Sequence, residues 1–253
     1  MSPSLLRAVQ RWRGVALMSV VVVATIWLAL TNQLILYIHP RYVLFTVIMS
    51  VIALVFVAAS AFLREPHDHD APPSKRQNAL SGAAAVLSLV IAVGIIVVPP
   101  ATLSSATLEQ RAINDGGLSG DRAQSVASVA STTDAAFAKF TVLEWSSLLR
   151  QTSELSVFSG KPVDVVGFVS ADPDDPENMF FVSRFVITCC AVDAQPIGVP
   201  VYEPGWADDL AVDQWVRVTG GFDTNPSGVS QQAIAVVPDS VEVVEQPGEP
   251  YLY

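Results

Sequence analysis

Apolar residues fall in two patterns along this chain: long unbroken blocks up to residue 100, and period-two alternation beyond residue 160. The blocks run from about Gly14 to Ile38, from Tyr42 to Leu63 and from Ala79 to Val98. Each reaches the roughly 20 residues a helix needs to cross a hydrocarbon core about 30 Å thick. The pattern therefore predicts three transmembrane helices, at about 14–38, 42–63 and 79–98, within a membrane region covering residues 1–100. His39-Pro40-Arg41 is short enough to make the first two a hairpin, and Pro40, lacking an N–H, ends the helical path there. No Asp, Glu, Lys, Arg or His lies inside a block, which argues against a proton relay or ion path through this chain alone.

Residues 101–134 are rich in Ser, Ala, Thr and Gly and read as a flexible linker with little core-forming power. Residues 135–253 read as an all-β domain. Phe137–Leu149 has the spacing of a short amphipathic helix. Strand patterns follow at 162–170, 178–188, 197–202, 214–222 and 233–244, the last interrupted at Pro238. Gly167 marks a bend or bulge in the first strand, Asp172–Pro176 a turn, and Trp206–Leu210 one helical turn. That order is the order of a five-stranded Greek-key barrel, the OB-fold, with a generic β-sandwich as the alternative. Trp145, Trp206 and Trp215 are a candidate ligand face, although Trp215 in QWVRV also fits packing in the barrel.

Charge divides the chain in the same place. Residues 1–100 hold seven Lys/Arg and three Asp/Glu; residues 101–253 hold seven and twenty-one, a net of −14. A domain so acidic repels phosphate backbones, so no nucleic-acid partner is expected. The basic leader Arg7, Arg11 and Arg13 resembles a signal peptide, but the first block is too long and no A-x-A-type cleavage site follows it. Arg64, Lys75 and Arg76 lie on the same side as the leader, against Arg41 and Arg111 on the other. Positive charge stays inside, which predicts a multi-pass cell-membrane protein with a cytoplasmic N-terminus and an extracytoplasmic C-terminal domain.

Chemistry concentrates in Arg184-Phe-Val-Ile-Thr-Cys189-Cys190-Ala-Val-Asp193. Adjacent cysteines are poor disulfide partners, since a bridge wants its Cα atoms roughly 4.4–6.8 Å apart and would close a strained ring. In a strand the two would face opposite ways; in a turn both can face one way, with Asp193 in reach. Two thiolates and a carboxylate would suit zinc or another soft cation, though a closed structural site takes four ligands. Burial of the thiols in the core, a partner-facing role and thiol redox exchange are the alternatives. Arg184 is a candidate ligand or partner contact, or a partner of Asp193. His67 and His69, with Asp68 and Asp70 beside them, form a second, weaker metal candidate between the second and third blocks. No nucleophile elbow, phosphate loop or H-E-x-x-H motif is present, and no enzyme is expected.

Three segments together carry a resemblance: Tyr37-Ile-His39-Pro40-Arg41, Leu108-Glu-Gln-Arg111-Ala-Ile-Asn114, and Gly167-Phe-Val…Ser183-Arg184-Phe…Thr188-Cys189-Cys190-Ala-Val-Asp193-Ala. They resemble the bacterial YcgQ-like proteins, described as permease subunits, over nearly the whole chain. The resemblance implies an accessory membrane subunit, in contact with the lipid bilayer and paired with a polytopic permease of the YcgR type. It leaves the transported substrate open and makes a link to zinc an expectation only.

Overall fold

A computed structural model describes residues 18–63, scattered positions between 79 and 94, and residues 102–108, 111–114, 125–126 and 134–253. The chain forms two compact units, Met1–Ala101 and Thr102–Tyr253.

In the first unit the described helices are α1 (Met18–Leu30) and α2 (Pro40–Leu63). Among the described residues, α2 is the one helix long and apolar enough to cross a membrane, by length and composition. Its 24 residues rise about 36 Å, and none of its apolar window is buried. Leu44, Phe45, Val55 and Phe56 are among its most exposed side chains. The first block was expected to stay helical to Ile38, yet α1 stops at Leu30. Asn32 adopts a left-handed backbone (φ 57°), a common way for a helix to end. A 3-10 turn, Leu34–Leu36, then fills the connection. Pro40 does not end a helix but opens α2, where its missing N–H costs nothing, and His39 Nδ1 accepts from Arg41 N–H at 3.1 Å. The described positions of the third block between 79 and 94 are helical; its remainder, the basic leader and the His67/His69 loop lie outside the described residues.

The second unit is built on one six-stranded sheet. Its strands are β1 (Val163–Ala171), β2 (Met179–Val186), β3 (Gln195–Tyr202), β4 (Trp215–Thr224), β5 (Ile234–Val243) and β6 (Tyr251–Leu252). The order is β1-β4-β5-β3-β2-β6, and β1 also pairs with β2. All pairings are antiparallel except β3–β5 and β2–β6. β1 changes partner midway: Val163–Phe168 face β4, and Phe168–Ala171 face β2. Gly167 permits the change, since a β-carbon there would sit 2.5 Å from Ser183 O. β5 runs on through Pro238 but is irregular there. Thr219 faces Ser240 and Gly220 faces Pro238, so Asp239 of β5 is an extra, unpaired residue. A β-carbon on Gly220 would come within 2.4 Å of Val237 O. The sixth strand, absent from the expected five, is the C-terminal Tyr251–Leu252 against Phe185 and Val186.

Short helices described beside the sheet are α3 (Ser105–Leu108), α4 (Asp134–Phe137), α5 (Val142–Leu149) and α6 (Leu155–Phe158). α5 starts at a capping box, in which Thr141 Oγ1 accepts from Leu143 N–H and Glu144 Oε2 accepts from Thr141 N–H at 2.7 Å, a device that stabilises by about 1 kcal/mol. It packs against β1, β2 and β3 and buries Trp145 among Phe137, Phe140, Phe158 and Phe222, with ring centroids 5.1–6.4 Å apart. This cluster, with Val165, Val182, Val199, Val218 and Val236, is the core.

The expected flexible linker contains an ordered strap. Ser105 donates its N–H and hydroxyl to Asp213 at 2.6 and 2.8 Å, and Leu103 N–H donates to Tyr251 Oη at 3.0 Å. Asn114, left-handed at φ 64°, exchanges two hydrogen bonds with the main chain of Gly198, 2.9 and 3.0 Å. Hydrogen bonds to main-chain and polar groups hold this segment without an apolar pattern, which is why its composition reads as a tether.

Candidate functional site

The hairpin of β2 and β3 carries the cysteines at its tip. Pairing ends at Val186↔Gln195, and residues 187–194 form the connection. Ile187 N–H still bonds Leu252 O at 3.0 Å; then the chain turns, and Ala191–Asp193 is a 3-10 turn. Asp193 makes the turn. Its carboxylate accepts from the N–H groups of Thr188 (3.3 Å), Cys189 (2.7 Å) and Cys190 (3.3 Å), while its own N–H donates to Cys190 O at 3.0 Å. Arg111 of the strap anchors the far side by donating to Val192 O at 3.0 Å and to Ala194 O.

The turn brings both thiols to one side. Cys189 is exposed and Cys190 half-buried, both are free, and their sulfurs are 3.6 Å apart. Two thiolates about 2.3 Å from a tetrahedral zinc ion span about 3.7 Å. Ligand atoms of Cys189, Cys190 and Asp193 all lie within 4.8 Å of one another, so the carboxylate closes a small remaining gap. Burial alone would raise the Asp193 carboxyl. Hydrogen bonds from the Cys189 thiol and from the three N–H groups outweigh it and hold the group below the usual carboxylate range. The same carboxylate, followed by the Cys190 sulfur, pushes the Cys189 thiol up to about 12. A thiol so protonated must lose its proton before it acts either as a nucleophile or as a metal ligand, so the shift favours neither reading.

Arg184 is not part of this site. It is buried, donating Nε to Pro250 O at 2.9 Å and Nη2 to Glu249 O at 2.6 Å, with its guanidinium 5.3 Å from the Trp215 ring centroid. Burial lowers it to about 10 against the raising fields of Tyr253 and Glu249, so it remains charged. Its role is to pin the chain before β6, and Asp193 is satisfied elsewhere. Nor do the tryptophans form a ligand face: Trp145 is wholly buried in the core and Trp206 nearly so, its Nε1 donating to Pro176 O at 3.0 Å.

Sequence reasoning missed Arg111 as a support of the cysteine loop; its guanidinium reaches the loop across 81 residues of chain.

Residues 13–114 match the family model of the DUF1980 N-terminal domain, and residues 131–253 that of the DUF1980 C-terminal domain. The chain carries both DUF1980 domains. The strap up to Asn114 thus ends the matched DUF1980 N-terminal segment, and the cysteine hairpin lies within the DUF1980 C-terminal domain. No curated protein matches the chain.

Proposed function

We propose that this DUF1980 chain is a membrane-anchored metal-capture protein, with Cys189, Cys190 and Asp193 as ligands for zinc or a similar soft cation. The observation that carries it is the pair of free sulfurs 3.6 Å apart with a carboxylate beside them, a spacing that suits two ligands of one ion. The ring of pairings, β1-β4-β5-β3-β2 returning to β1, supports an OB-type barrel as the scaffold. Three spans and an extracytoplasmic C-terminal domain are the matching topology, supported by the apolar blocks and the distribution of Arg and Lys. The test is the zinc content of the full chain, purified in detergent, against Cys189→Ser/Cys190→Ser. The native chain should retain zinc through gel filtration and the variant should lose it; equal content in both rejects the reading.

A second reading is favoured by the resemblance to YcgQ-like permease subunits and by the unburied apolar faces of α2. In it, the capture domain serves a polytopic permease of the YcgR type. Isolation from native membranes should recover such a partner, and recovery of the chain alone counts against the pairing.

A further inference from the structure

Resting on the metal reading, we infer that the captured ion is cargo passed on to a soft-donor ligand of a partner protein, because the loop leaves one coordination position open to solvent. The chain contains two cysteines, and its three histidines are His39, His67 and His69. Residues 102–253 therefore hold no further thiol or imidazole to complete a fourth bond. Among the described residues, Cys189, Cys190 and Asp193 are the one group of three or more His, Cys, Asp or Glu side chains close enough to share an ion. Structural zinc sites close with four protein ligands, whereas three ligands leave a place for an exchangeable one.

The surroundings suit exchange rather than storage. Cys189 is exposed, and Val192 at the tip of the same turn is 81% exposed, so an incoming thiolate or imidazole can approach the turn from solvent. When the ion leaves, Asp193 has three N–H partners to return to, and no buried polar group is stranded. A second copy of the chain is a poor source of the missing ligands. Residues 102–253 carry seven Lys/Arg against twenty-one Asp/Glu, and two such domains repel each other. The fitting partner presents a thiolate or imidazole on a neutral or basic rim.

Transfer is ligand exchange with no change of oxidation state. Bonds from zinc to both sulfurs and to the Asp193 oxygen break as bonds to the incoming donors form, and the freed thiolates take protons from water.

An open site loses metal by attack of the competitor; a closed one must first release it. The full chain in detergent, loaded with zinc, is mixed in a stopped-flow instrument with a chromogenic chelator over a range of concentrations. The transfer rate should climb in proportion to chelator, about tenfold across a tenfold range, as expected for an open position. A rate independent of chelator overturns the inference while leaving metal capture standing. So does a zinc-dependent dimer holding one ion per two chains. If the chain binds no zinc, the metal reading fails and this inference fails with it.

Discussion

Two arginines of the β domain show how little residue type says about role. Arg217 pairs with Asp164, Nε to Oδ1 at 2.7 Å, with both side chains a third to a half exposed. Arg184 donates to main-chain oxygens of Pro250 and Glu249 from a buried position. Exposed ion pairs contribute about 0–1 kcal/mol. Hydrogen bonds from a charged donor contribute about 1.5–3 kcal/mol, and stranding their buried acceptors costs more. Arg184→Met should therefore lower the unfolding free energy of the domain by about 3 kcal/mol, and Arg217→Met by much less. Chemical denaturation of the full chain, followed by tryptophan fluorescence, measures both. Equal losses would remove Arg184 as the pin of β6. The sequence placed Arg184 beside the cysteines because they are neighbours in the chain. Only the fold reveals that its side chain runs toward the C-terminal segment.

At the scale of elements, legibility followed periodicity. β1 carries apolar residues at alternate positions and β2 is buried along its whole length; all five strands from β1 to β5 occur close to where the strand patterns put them. β6 is two residues long, too short for any period, and its place is fixed by pairing with β2. The strap has no apolar period at all, since Ser105, Arg111 and Asn114 act through polar atoms on Asp213, Val192, Ala194 and Gly198; Ile113 adds one apolar contact by lying against Gly198. Helix ends failed for a related reason. A single left-handed Asn32, within the polar triplet Thr31-Asn32-Gln33, ends α1 inside a block that otherwise reads as one continuous helix. The candidate site was half legible: two cysteines and an aspartate in five residues were visible as a cluster. That all three come together depends on Asp193 capping three consecutive N–H groups, which spacing alone does not decide.

For the whole molecule the decisive property is sidedness, and the cysteine inventory makes it measurable without engineering. The chain has two cysteines, Cys189 and Cys190, so any thiol label reports the location of the C-terminal domain. Arg7, Arg11, Arg13, Arg64, Lys75 and Arg76 fall on one side of the three expected spans, with Arg41 and Arg111 on the other. Retention of Lys and Arg in the cytoplasm predicts that the cysteine loop lies outside. A membrane-impermeant maleimide applied to intact cells should label the native chain and leave Cys189→Ser/Cys190→Ser unlabelled. Because Asp193 pushes the Cys189 thiol up to about 12, little Cys189 thiolate is present at neutral pH, and labelling calls for excess reagent. Prior addition of zinc should protect the pair if it is a ligand set. Labelling that appears only after the membrane is permeabilised would put the domain in the cytoplasm, and capture of external cations would lose its physical basis.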